Sequence, residues 1–189
     1  MEIPLVQTNL GKLKGRIEDG NNIVYYKRGL EELSLNITND CPNSCVFCIR
    51  DRDAGWGVSN LYLTTDPTVR EIIDAFDSES SRLKKERVKL ERVKICGYGE
   101  PLMRFDDLFP ITEHVRRNYP DIQIQLATTG WPFYRFSSRD ESALKDLKDV
   151  GMTHIFLSLN ATNPRRYSKI VRPGISEPDE KAYEDAIRF

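Results

Sequence analysis

Three of the four cysteines lie in one nine-residue segment, DCPNSCVFC, at positions 41, 45 and 48. A structural zinc site normally has four protein ligands, often arranged as two CxxC pairs. A 4Fe–4S cluster instead takes one thiolate on each iron, so three thiolates leave one iron open. An open iron can bind a substrate or cofactor, as the open position of a catalytic zinc does. The count therefore predicts a reactive cluster held by Cys41, Cys45 and Cys48.

Two other readings of the cysteines remain open. A zinc site would need a distant fourth ligand, for which Cys96, His114 and His154 are available. A disulfide between Cys41 and Cys45 would need an oxidising compartment. The N-terminus MEIPLVQTNLGKLKGR has no signal-peptide pattern, and we find no apolar run of membrane length. These features predict a cytoplasmic protein without a membrane partner, in which metal binding is favoured over a disulfide.

The elements around the cysteine loop alternate between strands and helices. Apolar residues alternate with period two or cluster in strand-like segments at 33–37, 93–96, 121–127 and 154–160. Helical patterns separate them, at about 65–76, 106–118 and 138–150, and another starts at Pro178. This order predicts an α/β fold with a mainly parallel sheet. We divide the chain into a polar lead-in over 1–30, with a strand-like piece at 22–26, and a core domain over 31–189.

Each predicted strand runs into a motif of small or polar residues. The cysteine loop follows the first, GYGEP (97–101) the second, TTG (128–130) the third, and SLNA (158–161) ends the fourth. Ligands of parallel α/β folds bind at the carboxyl ends of the strands. Glycines allow the main chain to approach a ligand closely, and a carboxylate can bind an ammonium group. The motifs are therefore expected to share one edge of the sheet and one ligand.

The spacing CxxxCxxC, with an aromatic residue before its last cysteine, together with GYGEP, resembles the radical SAM superfamily. The resemblance implies that the open iron binds the amino and carboxylate groups of S-adenosylmethionine (SAM). The cluster then cleaves SAM to a 5′-deoxyadenosyl radical, which abstracts hydrogen from a substrate. The protein supplies binding and geometry for this cofactor chemistry.

The same resemblance implies roles for individual residues. Phe47 would pack beside the adenine of SAM. The turn formed by Gly97, Tyr98, Gly99 and Glu100 would receive the methionine ammonium. Thr129, Ser158 and Asn160 would contact the cofactor from the next two strand ends. It identifies no catalytic residue, and it leaves the substrate and the electron donor unknown.

The finer resemblance is to the TatD-associated radical SAM proteins. It rests on NITNDCPNSCVFCIRD, LYLTTDPTVREII and SLNATNPRRYSKIVRP together with GYGEP. A full radical SAM core has six βα units, and about four are recognisable here. We therefore expect a partial (βα) barrel, from a truncated or split gene product or completed by a second chain. An exposed last strand would invite pairing with another chain.

Charge gives little support for a nucleic-acid partner. The net charge is −1, and the run SESSRLKKERVKLERVK (78–94) contains three glutamates and no aromatic residue. We interpret this run as a solvated helical insertion. The alternative is an RNA-modifying enzyme that holds RNA through Lys84, Lys85 and Arg87. We also expect Cys96, outside the cysteine loop, to be a small buried residue.

Overall fold

The fold is built on a six-stranded sheet with strand order β1-β2-β3-β4-β5-β6. The computed structural model describes residues 14–15, 22–27, 29–51, 61–174 and 179–189. The strands are β1 (Lys14–Gly15), β2 (Val24–Lys27), β3 (Glu32–Leu35), β4 (Arg92–Ile95), β5 (Gln123–Thr128) and β6 (His154–Leu157). β1 and β2 are antiparallel to their neighbours, whereas β3 to β6 are parallel to one another.

The helices follow the strands in the order expected of βα units. They are α1 (Val69–Lys85), α2 (Leu108–Asn118), α3 (Pro132–Phe136), α4 (Ser142–Asp149), α5 (Pro164–Ile170) and α6 (Asp179–Arg188). Short 3-10 helices add Ile49–Asp51 and Pro101–Asp107. This architecture confirms the prediction of an α/β fold and agrees with a partial radical SAM-type barrel.

The main core lies between one face of the sheet and the first two helices. Because strand neighbours in register point the same way, Leu35, Ile95 and Leu126 form one apolar row across β3, β4 and β5. All three are fully buried, as is Phe76 of α1. The opposite face carries polar residues, and this alternation is what the period-two pattern predicted.

The predicted helical insertion over 78–94 is wrong in its second half. Helix α1 ends at Lys85, and Arg87 takes a left-handed conformation with φ 58°. The Val88 N–H then bonds the Leu83 carbonyl (2.9 Å), closing the helix end in a Schellman arrangement. Glycine is the usual residue at such a position, so the sequence carried no stop signal. The predicted helix at 138–150 is likewise shorter, starting at Ser142 as α4.

The start of α1 is fixed by a reciprocal pair of hydrogen bonds. The Glu71 N–H donates to the Thr68 hydroxyl (3.2 Å), and the Thr68 N–H donates to the Glu71 carboxylate (2.7 Å). This capping box holds the pKa of the Glu71 carboxyl below its usual value. It satisfies two backbone donors that a helix end otherwise leaves free.

We expect Thr68→Ala to lower the free energy of unfolding by about 1 kcal/mol, the usual effect of losing an N-cap. Urea denaturation followed by circular dichroism measures it. Ser81→Ala, at an exposed position on the same helix, is the matched control. Equal effects of the two substitutions would show that the capping box does not stabilise α1.

Strand β6 exposes its apolar side chains. Ile155, Phe156 and Leu157 are 44%, 46% and 40% exposed, whereas the corresponding residues of β4 and β5 are largely buried. In the described residues β6 pairs with β5 alone, so its outer edge is free. No helix in the described ranges is long and apolar enough to cross a membrane.

The domain boundary at residue 30 stays a prediction. Much of the predicted lead-in falls on residues 1–13 and 16–21, which lie outside the described residues. Its strand-like piece is present as β2, which pairs with β3 in the same sheet as the core.

Candidate functional site

The predicted site residues lie at one edge of the sheet. Since β3 to β6 are parallel and adjacent, the segments after their carboxyl ends are neighbours. In the basic run, Lys84, Lys85 and Arg87 come before β4 and so lie at the opposite ends of the parallel strands. RNA held by that run would be far from the cysteine loop, which does not favour the RNA-binding alternative.

Backbone hydrogen bonds hold the cysteine loop against the segment that follows α5. They join Ser44 N–H to the Arg172 carbonyl (3.0 Å), Val46 N–H to Ile170 (2.9 Å), and Gly174 N–H to Pro42 (2.6 Å). Asn43 and Pro173 also form an isolated antiparallel bridge. The loop is therefore fixed at both of its halves by a segment about 130 residues later in the chain.

The three loop thiols are free and half-buried. Burial, together with the charges of Cys41 and Cys48, raises the pKa of Cys45 to about 11. In the described part of the chain, no three His, Cys, Asp or Glu side chains form a group that could hold a metal ion. A 4Fe–4S cluster takes each thiolate on a different iron and so does not need the three sulfurs to converge on one ion.

Arg50 places a cation beside the loop sulfurs. Its Nε–H donates to the Cys48 sulfur (3.3 Å), and its terminal nitrogens donate to the Asn39 and Asn43 carbonyls (3.3 Å each). This contact places a positive charge beside a sulfur that would be anionic as a cluster ligand. The donor set of free thiols and this cation fits a 4Fe–4S cluster, and the ligand roles of the three cysteines stay a prediction.

Glu100 lies at the centre of a saturated hydrogen-bond network. One carboxylate oxygen accepts from the Thr128 hydroxyl (2.5 Å) and the Leu102 N–H (3.1 Å). The other accepts from the Thr129 N–H (2.8 Å) and hydroxyl (2.9 Å). The residue is 3% exposed, and burial raises the pKa of its carboxyl despite these bonds. Glu100 thus ties the turn after β4 to the end of β5, while its role toward a cofactor ammonium stays a prediction.

Asn43 connects this network to the cysteine loop. Its amide nitrogen donates to the Thr129 hydroxyl (3.2 Å) and approaches the Cys41 sulfur (3.8 Å). Its amide oxygen accepts from the Trp131 indole N–H (3.0 Å). Sequence reasoning missed this buried residue, because the motif gives roles in the loop only to the three cysteines and Phe47. An asparagine between two candidate ligands was the one available signal.

The two glycines of the GYGEP turn are required by neighbouring protein atoms. A Cβ at Gly97 would lie 1.9 Å from the Asn36 amide oxygen. A Cβ at Gly99 would lie 2.3 Å from the Thr38 carbonyl oxygen and 2.7 Å from that of Asp40. The atoms that require these glycines belong to the chain that leads from β3 into the cysteine loop, and close approach of the turn to a ligand stays a prediction.

We expect Gly99→Ala to destabilise the fold by about 3 kcal/mol, the upper range for overpacking, because backbone carbonyls cannot rotate away. The turn would move, breaking the 2.7 Å bond between the Glu100 N–H and the Asp40 carbonyl. Gly29→Ala is the control, since its Cβ meets open space and only the positive φ is strained. If the two variants lost similar amounts of unfolding free energy, the contacts of Gly99 with the Thr38 and Asp40 carbonyls would not be what makes its replacement costly.

Among the described residues, the others predicted to contact the cofactor make no hydrogen bond to the Glu100 carboxylate. Phe47 is 39% exposed on the loop. Tyr98 packs edge-on against Tyr62 with ring centroids 5.2 Å apart. Ser158 and Asn160 are exposed, and the Asn160 amide donates to the Ser158 carbonyl (2.9 Å). Their contacts with a cofactor stay predictions.

Cys96 is half-buried, so the expectation of a buried residue is wrong in degree. It follows the last residue of β4, and its sulfur lies 3.4 Å from the buried Tyr25 hydroxyl. His114, another candidate zinc ligand, is engaged elsewhere, since its Nε2 lies 2.8 Å from the Asp77 carboxylate of α1.

A second, smaller core lies beneath the cysteine loop. Its buried members are Trp131, Tyr167, Val171, Ala182 and Ala186, and Cys45 packs against them. Trp131 and Tyr167 are both fully buried, but only the Trp131 N–H has a hydrogen-bond acceptor, in Asn43. The Tyr167 hydroxyl is buried without a partner among the described residues. Buried polar groups without partners are uncommon and call for a physical explanation.

Comparison with known proteins gives one family and a set of distant relatives. The radical SAM superfamily model matches residues 35–188. A GTP 3′,8-cyclase of Paenarthrobacter nicotinovorans is 24% identical over 78% of this chain, which corresponds to 36% of that protein. A GTP 3′,8-cyclase of Vibrio atlanticus is 27% identical over 77% of the chain and 38% of the relative. A probable GTP 3′,8-cyclase of Methanococcus aeolicus is 27% identical over 86% of the chain and 49% of the relative. The chain thus spans less than half the length of these relatives.

Proposed function

The chain belongs to the radical SAM superfamily, whose members are enzymes that use a 4Fe–4S cluster and SAM, and we propose that it binds both groups at the carboxyl edge of its sheet. Cys41, Cys45 and Cys48 would hold the cluster. A cluster held there would pass an electron from an external donor to SAM, and so would supply the reductive cleavage that leads to hydrogen abstraction from a substrate.

The observation that carries this proposal is the continuous network from the cysteine loop to the strand ends. Asn43 bonds Thr129, and Thr129 bonds Glu100. The loop and the two motifs that resemble SAM-binding segments are therefore one physical unit. A structural zinc knuckle would not require a buried carboxylate and two strand ends to be tied to its loop.

The chain's own residues would set the geometry of the reaction. The loop, pinned to the segment at 170–174, fixes the positions of the three sulfurs. Arg50 donates to one of them and counters negative charge at the cluster. Phe47, Ser158 and Asn160 are exposed around the same edge and are available to contact SAM.

The substrate class rests on two lines of support that differ. The motif resemblance favours the TatD-associated branch, whose name does not specify a substrate. The relatives found by comparison carry the name GTP 3′,8-cyclase, which makes GTP the first substrate to try. We further propose a cytosolic location, where thiols stay reduced, and an unidentified electron donor.

The test is EPR of anaerobically reconstituted, dithionite-reduced protein with and without SAM. We expect a reduced 4Fe–4S signal that changes when SAM is added, and 5′-deoxyadenosine among the products. Adding GTP should raise the yield of 5′-deoxyadenosine if GTP is the substrate. Stoichiometric zinc without a cluster would contradict the proposal and support a non-catalytic metal module.

We also propose that a second chain completes the barrel along β6. Its exposed apolar residues and free edge are the features that support a strand partner. With a second copy of this chain as the partner, Phe156→Ser should lower self-association in sedimentation measurements while leaving the circular dichroism unchanged. Exposed Phe136, which lies on α3, gives the control Phe136→Ser. Equal effects of the two variants would contradict a role specific to β6.

A further inference from the structure

Tyr167 carries a buried polar group, in the small core beneath the cysteine loop, that neither the fold nor the proposed ligand set explains. It lies on α5, is fully buried, and its hydroxyl has no hydrogen-bond partner among the described residues. Leaving a buried hydroxyl without a partner destabilises a fold, so such groups normally acquire one. The missing partner is therefore expected to be something that the polypeptide itself does not provide.

The surroundings of Tyr167 indicate what that partner is. The tyrosine belongs to the small core against which Cys45 packs. The end of its helix bonds the cysteine loop directly, through the Ile170 carbonyl and the Val46 N–H (2.9 Å). Burial raises the pKa of the Tyr167 hydroxyl, and the charges of Cys45, Glu100 and Cys41 act in the same direction. The hydroxyl is thus a donor without a partner in the described part of the chain, in the same small core against which Cys45 packs.

We propose that the Tyr167 hydroxyl is a hydrogen-bond donor to the sulfur of a cluster bound by the cysteine loop, on the side of Cys45. This inference rests on the proposed function and assigns a cluster-binding residue outside the three cysteines. Hydrogen bonds to cluster sulfurs stabilise the reduced, more negative state and so raise the reduction potential. Arg50 already shows this kind of contact at Cys48, where its Nε–H donates to the sulfur.

Tyr167→Phe removes only the hydroxyl. We expect it to leave the stability of the cluster-free chain intact and to lower the reduction potential of the bound cluster. In the cluster-free chain, the midpoint urea concentration should be unchanged or higher, because the lost hydroxyl had no partner. In the reconstituted protein, the ratio of reduced to oxidised cluster at a fixed potential should fall about tenfold, which is about 59 mV for a one-electron couple. EPR-monitored redox titration measures the second effect.

Tyr183→Phe is the matched control. The Tyr183 ring packs edge-on against Tyr167 with centroids 5.6 Å apart, so its variant perturbs the same small core without removing the proposed donor. The reduction potential of the cluster in Tyr183→Phe should equal that of the unmodified protein.

Three results would overturn the inference. One is an unchanged midpoint potential in Tyr167→Phe, and another is an equal fall in Tyr183→Phe. The third is a cluster-free Tyr167→Phe chain that unfolds more easily than the unmodified chain, which would show a purely structural hydroxyl. An unmodified chain that takes up no cluster overturns the proposed function as well. A loaded unmodified chain with an unaltered Tyr167→Phe variant overturns this inference alone.

Discussion

Replacing Cys45 by alanine should abolish the reduced-cluster EPR signal, with a fall in cluster content of about 100-fold or more, since changes at groups that merely support metal ligands already cost 10–100-fold. The variant would leave two thiolates in a loop that must hold three irons. Iron and sulfide per chain after reconstitution, read together with EPR, measure the loss.

The fold of the Cys45→Ala variant should survive, because the loop is held by backbone hydrogen bonds rather than by the thiol. The bonds from Ser44 and Val46 to the segment after α5 do not involve the Cys45 side chain. Circular dichroism and urea denaturation should therefore stay close to those of the unmodified chain.

Cys96→Ala is the control for this prediction. Cys96 is also a free, half-buried cysteine near the same edge, but it contacts the Tyr25 hydroxyl and lies outside the loop. Its variant should bind a full cluster. If Cys96→Ala loses the cluster while Cys45→Ala keeps it, the proposed ligand set is wrong.

The parts of the fold that the sequence predicted are those encoded by short-range patterns. The alternation of Leu33 and Leu35 predicted β3, and the similar patterns at β4 and β5 placed three motifs at strand ends. Parallel order then brought those motifs to one edge. The prediction for the end of α1 was wrong because no short-range pattern marks it: Arg87 takes a left-handed conformation without being a glycine.

The parts that the sequence did not predict depend on which side chains meet across the fold. Asn43 bonds Trp131, 88 residues away, and no local pattern indicates such a pair. Tyr167 lies within the motif SLNATNPRRYSKIVRP, which indicates no role for it, because its unpartnered hydroxyl is visible only once its burial is known. The motif predicts that Gly99 allows close approach to a ligand, whereas the atoms that lie against it in the fold are the carbonyls of Thr38 and Asp40.

Glu100 shows how a motif residue can have a second role in the fold itself. The motif predicts a carboxylate that receives the ammonium of SAM. The structure has both carboxylate oxygens occupied by four donors of the chain, from Leu102, Thr128 and Thr129. These two roles make different predictions for the cluster-free chain, in which no SAM is bound.

We expect Glu100→Gln to lower the free energy of unfolding of the cluster-free chain by about 3 kcal/mol, the scale of losing hydrogen bonds to a buried charged group. The amide NH₂ would face a donor that now bonds a carboxylate oxygen, and the group would lose its charge. Glu100→Ala should be worse, because it leaves the donors of Thr128, Thr129 and Leu102 unpaired in a buried site. Urea denaturation of both variants shows which of them loses more unfolding free energy.

Thr128→Val keeps the Glu100 carboxylate and the shape of the side chain, but it removes one donor to Glu100 and the acceptor of the Gly130 N–H (2.9 Å). Its expected loss of unfolding free energy is about 2 kcal/mol, the usual net value of two hydrogen bonds. If Glu100→Gln instead unfolds like the unmodified chain and weakens only SAM binding, then Glu100 acts toward the cofactor alone and the tie between β4 and β5 contributes nothing to stability. If both stability and SAM binding fall, the network that fixes the strand ends is also what positions the carboxylate for its ligand.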